Sequence, residues 1–80
     1  MELGNYQGAW ADFDTAIQIG GKESMFYYNR ALASEKIGKY PQAFADYQAA
    51  IDLDERNAKA YRSRAALHVK LKQWEDALLD

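Results

Sequence analysis

The residues of this chain that could do chemistry are few and scattered. It has no cysteine and a single histidine, His68. A thiolate metal site, a cysteine nucleophile and a multi-histidine metal site within one chain are therefore excluded. His68 lies among apolar residues, and no serine or carboxylate is spaced to form a catalytic triad with it. We interpret it as a structural or surface histidine, and we expect no catalytic residue.

Two acidic clusters could be taken for metal sites. One is Asp12 with Asp14, and the other lies at 52–55. The second cluster lacks the Asp/Asn-rich loop and the glycine that a calcium site needs, and acidic solvated turns explain both. The sequence Gly20-Gly21-Lys22 lacks the strand and the remaining spacing of a phosphate-binding loop. We therefore expect neither a bound metal nor a cofactor.

Composition indicates one small globular domain. The 80 residues are 49% hydrophobic and 28% charged, which is not the composition of a disordered chain. Ten basic and 12 acidic residues give a net charge of −2, whereas a nucleic-acid-binding domain normally has a basic excess. No apolar run approaches the ~20 residues of a membrane span, and the acidic start does not resemble a signal peptide. We expect a cytoplasmic protein that binds neither nucleic acid nor membrane.

An internal repeat of 34 residues organises the chain. When the sequence is aligned with itself at that offset, 13 of the 46 overlapping pairs are identical, against about three expected by chance. The identical pairs include Tyr6/Tyr40, Ala9/Ala43, Asp12/Asp46, Tyr27/Tyr61, Arg30/Arg64 and Ala31/Ala65. No insertion is needed to keep register, so the chain consists of one structural unit used repeatedly.

Each unit divides into helices, because its apolar residues recur at steps of three and four. The predicted helices span about 5–19, 24–37, 40–53, 58–71 and 74–80, each within about three residues. Pro41 falls in the first turn of its helix, where its missing N–H costs nothing. Asn57 is placed to cap the following helix. The links are short, so neighbouring helices are expected to pack antiparallel.

With this period and helix pattern, the sequence resembles the tetratricopeptide repeat (TPR) family. In the complete repeat, Tyr27 stands for the family's tryptophan and Ala31 for its small glycine, while Ala43 and Tyr47 take the second-helix alanine and aromatic places. The resemblance implies an all-α fold of antiparallel helix–turn–helix repeats that form a short right-handed α-solenoid. The single TPR-like region, 1–80, then divides into the second helix of a partial repeat (1–23), a complete repeat (24–57) and a truncated repeat (58–80).

Small residues mark the places where two helices of a repeat approach closely. On first helices these are Ala31 and Ala65, and on second helices they are Ala9, Ala43 and Ala77. We expect all five to lie at helix–helix seams, with the recurring aromatic side chains filling the space between repeats.

Some positions depart from the family pattern. Arg30 and Arg64 stand where leucine is usual, and we expect their stems to pack while their charged heads reach solvent. Ser34 and His68 replace a tyrosine, and Lys72 replaces a turn glycine. We expect these changes to loosen individual contacts and to leave the periodicity intact.

In the TPR family the first helices line a concave groove that binds an extended peptide. The resemblance assigns that groove to Tyr28, Asn29, Leu32, Lys36, Lys59, Arg62, Ser63, Ala66 and Lys70. This set is basic and partly apolar, so the expected partner is an acidic protein or peptide with one or two apolar anchors. The alternative interpretation is that these cations form a solvated helix face.

One TPR subfamily holds the acidic C-terminus of chaperones with a carboxylate clamp, and the match to it is partial. Asn29 matches the clamp's middle asparagine. Lys70 stands in place of an arginine and Ala66 in place of a lysine. The helix that would carry the first lysine and asparagine is absent, and lysine lacks the bidentate fork of arginine.

The sequence favours a non-enzymatic protein–protein interaction scaffold that binds a peptide in its concave groove. The alternative is a self-assembling repeat fragment, a dimer or higher homo-oligomer, whose incomplete terminal helices pair between chains. Those helices carry Tyr6 and Phe13 at one end and Trp74 and Leu78 at the other, and exposed apolar faces favour association. A third interpretation is a targeting segment of a co-chaperone or an isomerase-like enzyme.

Overall fold

The computed structural model describes the backbone of residues 3–79 and the side chains of residues 5–73. The described chain forms α1 (Leu3–Ile19), α2 (Ser24–Lys36), α3 (Tyr40–Leu53) and α4 (Ala58–Leu79), with no strand in that range. Helix α2 packs against both α1 and α3, and α3 also packs against α4. The predicted all-α helical-repeat solenoid is confirmed.

A hydrogen-bonded chain of polar groups joins three helix ends. The Asn57 side-chain oxygen accepts a hydrogen bond from the Ala60 N–H at 3.1 Å, so the predicted cap of α4 is confirmed. The Asn57 amide donates to Ser24 Oγ at 2.8 Å, and that hydroxyl donates to the Ala50 carbonyl at 2.8 Å. Pro41 lies in the first turn of α3, as predicted. These contacts fix the starts of α2 and α4 against the end of α3.

The prediction of a helix boundary between 71 and 74 is wrong, because α4 runs unbroken from Ala58 to Leu79. One repeat earlier, Gly38 has φ +83° and turns the chain between α2 and α3. A residue with a Cβ adopts that conformation only at a cost, and among the described residues no other residue type has a positive φ. Lys72 occupies the position equivalent to Gly38, and there the helix continues.

The predicted seam of small residues is present in the complete repeat. Ala31 and Ala43 are fully buried in one cluster between α2, α3 and α4, and Ala9 is half-buried on α1. The prediction is wrong for Ala65, which is exposed, because the unbroken α4 brings no second helix back against it. The side chain of Ala77 lies outside the described residues.

Replacement of Ala31 and of its equivalent one repeat later, Ala65, with leucine should change the free energy of unfolding by very different amounts. Ala31→Leu is expected to lower the free energy of unfolding by about 1–3 kcal/mol, because the added atoms must enter a packed seam. Ala65→Leu should change it by no more than about 0.5 kcal/mol. Urea unfolding at concentrations where the chain is monomeric measures both. Equal losses would show that a second helix does cover Ala65.

Arg30 does not send its charged head to solvent, and that expectation is wrong. Its guanidinium binds the Asp46 carboxylate through two bonds, Nε at 2.8 Å and Nη2 at 2.7 Å, and Asp14 through Nη1 at 2.8 Å. The rings of Trp10 and Tyr27 lie 5.7 and 5.5 Å from its carbon Cζ. The hydrogen bonds to Asp46 raise the pKa of Arg30, against the opposing effect of burial. Arg30 thus ties α2 to both α1 and α3.

Two further polar pairs stabilise the interior. The Trp10 ring N–H donates a hydrogen bond to Oγ of the buried Ser34 at 2.7 Å. Ser34, which replaces a tyrosine of the family pattern, thus joins α2 to α1. The hydroxyl of the fully buried Tyr47 donates to the Glu35 carboxylate at 2.7 Å. Burial, and then this carboxylate, raise the pKa of Tyr47 far above its ordinary value. The phenol therefore remains a neutral donor.

Candidate functional site

The first helices of the two repeats, α2 and α4, lie side by side on one face of the stack. Tyr28 on α2 and Ser63 on α4 bring their hydroxyl oxygens to 3.4 Å. Around them is a depression of about 230 Å³ lined by Tyr28, Lys59, Arg62 and Ser63. We call it the basic depression. It contains four of the nine residues predicted to line a groove.

The basic depression carries two cations and two hydroxyl groups. Lys59 and Arg62 are exposed, and within the described side chains neither forms an ion pair with a carboxylate. The Tyr28 ring packs against Tyr47, with ring centroids 6.0 Å apart. Cationic and hydroxyl donors arranged in this way can bind a carboxylate or another anion.

The carboxylate of Glu35 on α2 is already engaged. Its carboxylate accepts the hydrogen bond from Tyr47, and Glu35 is half-buried. Glu35 is therefore occupied by a contact within the repeat. The charged residues that line the depression are Lys59 and Arg62.

Three other predicted groove residues, Asn29, Leu32 and Lys36, lie in a separate place. They line a more apolar cleft of about 300 Å³ between α1 and α2. Sequence reasoning missed the α1 residues on the other wall of this α1–α2 cleft, which include Tyr6 and Phe13. The repeat contained a signal for them, because their equivalents on α3, Tyr40 and Tyr47, pack against first helices.

The last two predicted residues line neither space. Ala66 is exposed on α4. Lys70 places its ammonium 6.0 Å from the ring centroid of Tyr40 on α3. The structure therefore divides the predicted groove into a basic depression, an apolar cleft and two outlying residues.

The histidine and the acidic residues considered above as catalytic or metal-binding candidates lie in packing contacts and turns. His68 packs against Phe44 with ring centroids 4.5 Å apart and the ring planes tilted by 52°. Asp14 is bound to Arg30, and Asp54 accepts a hydrogen bond from the Arg56 N–H at 3.0 Å. In the described part of the chain, no three histidine, aspartate or glutamate side chains are grouped so as to hold a metal ion. Over the same part, every helix is too short or too polar to cross a bilayer.

Comparison with known proteins gives one match. Residues 36–72 match the family described as TPR repeat, a segment that runs from the end of α2 through α3 into α4. Neither the curated proteins nor the solved structures contain a significant match. TPR repeats generally act as non-catalytic scaffolds for protein–protein interaction. The match supports, over residues 36–72, the resemblance to the TPR family seen in the sequence.

Proposed function

We propose that this chain is a non-enzymatic interaction module that binds an acidic peptide segment at the basic depression. The observation that carries the proposal is a pair of exposed cations, Lys59 and Arg62, beside the hydroxyls of Tyr28 and Ser63. Neither cation forms an ion pair with a described carboxylate. A TPR repeat provides the scaffold on which two first helices present these groups together.

The chemistry of the depression favours a carboxylate as the bound group. Arg62 can offer a planar fork of donors, and Lys59 a mobile point charge. Tyr28 and Ser63 add neutral donors that can complete the coordination of two carboxylate oxygens. The depression is shallow and open to solvent, so its attraction for a charged ligand will be sensitive to salt.

The proposal centres on these four residues rather than on the whole predicted set. Asn29, Leu32 and Lys36 face the α1–α2 cleft, and an extended peptide bound at the depression need not enter that cleft. Ala66 and Lys70 lie further along α4 and would meet a peptide only if it continued in that direction. Their participation stays a prediction.

A binding measurement with a charge-reversed variant tests the proposal. The probe is a fluorescein-labelled peptide of glutamate and aspartate with one leucine and a free C-terminus, followed by anisotropy. At about 50 mM salt, Lys59→Glu with Arg62→Glu should raise the Kd at least about tenfold, because attraction becomes repulsion. Binding to the unchanged chain should weaken as salt rises to about 500 mM.

A charge-matched control separates the site from the overall charge. Lys22→Glu with Lys72→Glu makes the same change in net charge at exposed positions outside the depression. This variant should keep the Kd within about twofold of the unchanged chain. If both double variants weaken binding equally, or if the unchanged chain does not bind the peptide, the proposal is wrong. A C-terminally amidated copy of the peptide shows whether the terminal carboxylate is the group bound.

A further inference from the structure

The two ends of the helix stack leave complementary surfaces uncovered. At one end, the α1–α2 cleft is not covered by another helix of the described chain. At the other end, α4 packs against α3 on one side, and within residues 3–79 no helix covers its other side. Tyr61 is 42% exposed and Val69 58%, and Ala65 between them is exposed as well. We call these three residues the open α4 face.

The complete repeat shows what each uncovered surface is built to accept. In it, the first helix α2 packs against the second helix α3 through Ala31, Ala43 and Tyr47. A shift by one repeat converts α2 into α4 and α3 into α1. The corresponding residues are Ala65 on α4, and Ala9 and Phe13 on α1, which line or adjoin the two uncovered surfaces.

We propose that the open α4 face of one copy docks into the α1–α2 cleft of a second copy, as α2 docks onto α3 within the chain. The occupant of the cleft is thus a second molecule of this protein. The proposal does not depend on peptide binding at the basic depression, since it uses different side chains.

A hydrogen-bonded pair in the complete repeat has two apolar equivalents at the open surfaces. In the complete repeat, Tyr47 donates a hydrogen bond to Glu35. At the open surfaces the equivalent residues are Phe13 and Val69. A polar pair is therefore replaced by an apolar pair, so this pair needs no hydrogen bond across the proposed contact. The exposure of Val69 in the single chain is explained by burial against Phe13 of the next copy.

Charge complementarity supports the same register. Arg30 uses one side of its guanidinium for Asp14 and the other for Asp46. Its equivalent Arg64 has its first side occupied by the Gln48 side chain, which stands at the place of Asp14. The equivalent of Asp46 at the docked interface is Asp12, which is exposed on α1. Docking brings an aspartate to the open side of Arg64.

The described helices do not close the open α4 face. The segment after Leu71 continues α4 in a straight line to Leu79. Position 77, which carries the next second-helix alanine of the repeat, is then about 18 Å further along the axis than Ala65. Within residues 3–79, no second helix covers Ala65, so its face is available to α1 of another copy.

The proposed contact is heterologous, because two different surfaces meet. Each copy keeps one free surface of each kind, so copies add head to tail without a limit at two. The weight-average mass in sedimentation should therefore rise with concentration past that of a dimer. The helices of successive copies would form one continuous repeat array.

Engineered cysteines test the register directly, since the chain has none of its own. Ala9→Cys mixed with Ala65→Cys should give a two-chain product with a short bismaleimide cross-linker. Ala11→Cys is the matched control, because Ala11 lies on the exposed side of the same helix, and it should give no such product with Ala65→Cys. Cross-linking of Ala65→Cys to Ala77→Cys instead would indicate that two α4 helices pair with each other, and would overturn the proposal.

Charge reversal supplies a second, independent test. Asp12→Arg and Arg64→Asp, each alone, should raise the concentration needed for association by about tenfold, because like charges then meet. The chain that carries both substitutions should associate as the unchanged chain does. Failure of that rescue, or a monomer at every concentration, would contradict the proposal without affecting the peptide-binding result.

Discussion

Replacement of Tyr47 with alanine is expected to lower the free energy of unfolding by about 3–5 kcal/mol, a large part of the stability of a small domain. Tyr47 is fully buried at the contact of α2, α3 and α4. Its removal leaves a cavity beside Tyr28 and takes the hydroxyl donor away from Glu35. Urea unfolding followed by circular dichroism measures the loss.

The repeat supplies the control for this prediction. Phe13 is the equivalent aromatic residue one repeat earlier, but it is half-buried beside an open cleft. Phe13→Ala should therefore cost only about 1–2 kcal/mol in the monomer, because less apolar surface is re-exposed. Losses of equal size at the two positions would mean that Tyr47 does not have the central place described above.

Replacement of Asp46 with alanine should lower the free energy of unfolding by about 2–4 kcal/mol, because it leaves a charged group without its main partner in a site of low exposure. The side chains are 18% exposed for Arg30 and 8% for Asp46. Asp14 would remain, but it makes only one of the three hydrogen bonds to the guanidinium. Chemical unfolding at neutral pH measures the loss.

Asp12→Ala is the matched control, since Asp12 is the equivalent of Asp46 and is exposed. In the monomer it should change the free energy of unfolding by no more than about 0.5 kcal/mol. A further variant, Arg30→Met with Asp46→Leu, removes both charges together and should recover much of the loss. If Asp46→Ala is as mild as Asp12→Ala, the ion pair adds little to the stability of the stack.

The repeat made the architecture predictable. Since residues 34 apart occupy equivalent places, the spacing fixed the helices around the buried alanines Ala31 and Ala43. Single residues that favour a helix start were equally reliable, since Pro41 lies in the first turn of α3 and Asn57 caps α4. Such features depend on neighbours in sequence, and these are visible without a structure.

The contacts of charged residues were not predicted in the same way. Arg30 was interpreted by itself, as a long side chain with a head in solvent, whereas its conformation is set by two aspartates, each 16 residues away. The sequence did contain a signal, because Arg64 has Gln48 at the same offset. The continuity of α4 was missed for a related reason: Lys72 was treated as a weakened turn, although only a residue without a Cβ readily takes the backbone angle of that turn.

The candidate site was only partly predictable, because it depends on how the helices are rotated about their axes. Family positions identified residues on α2 and α4, and four of them meet in the basic depression. Others, such as Leu32, turn toward α1, whose residues the family pattern did not assign to a groove. The division between two spaces is a property of packing that residue types alone do not encode.

The unbroken α4 also has a geometric consequence. Its 22 residues make a rod of about 33 Å, and its last two turns follow Leu71, which packs against the buried core. A fluorescent or enzymatic domain fused to that rod through a helical linker would have a defined orientation relative to the helix stack. Each residue inserted into the linker would swing the fused domain by about 100° around the rod and move it about 1.5 Å outward.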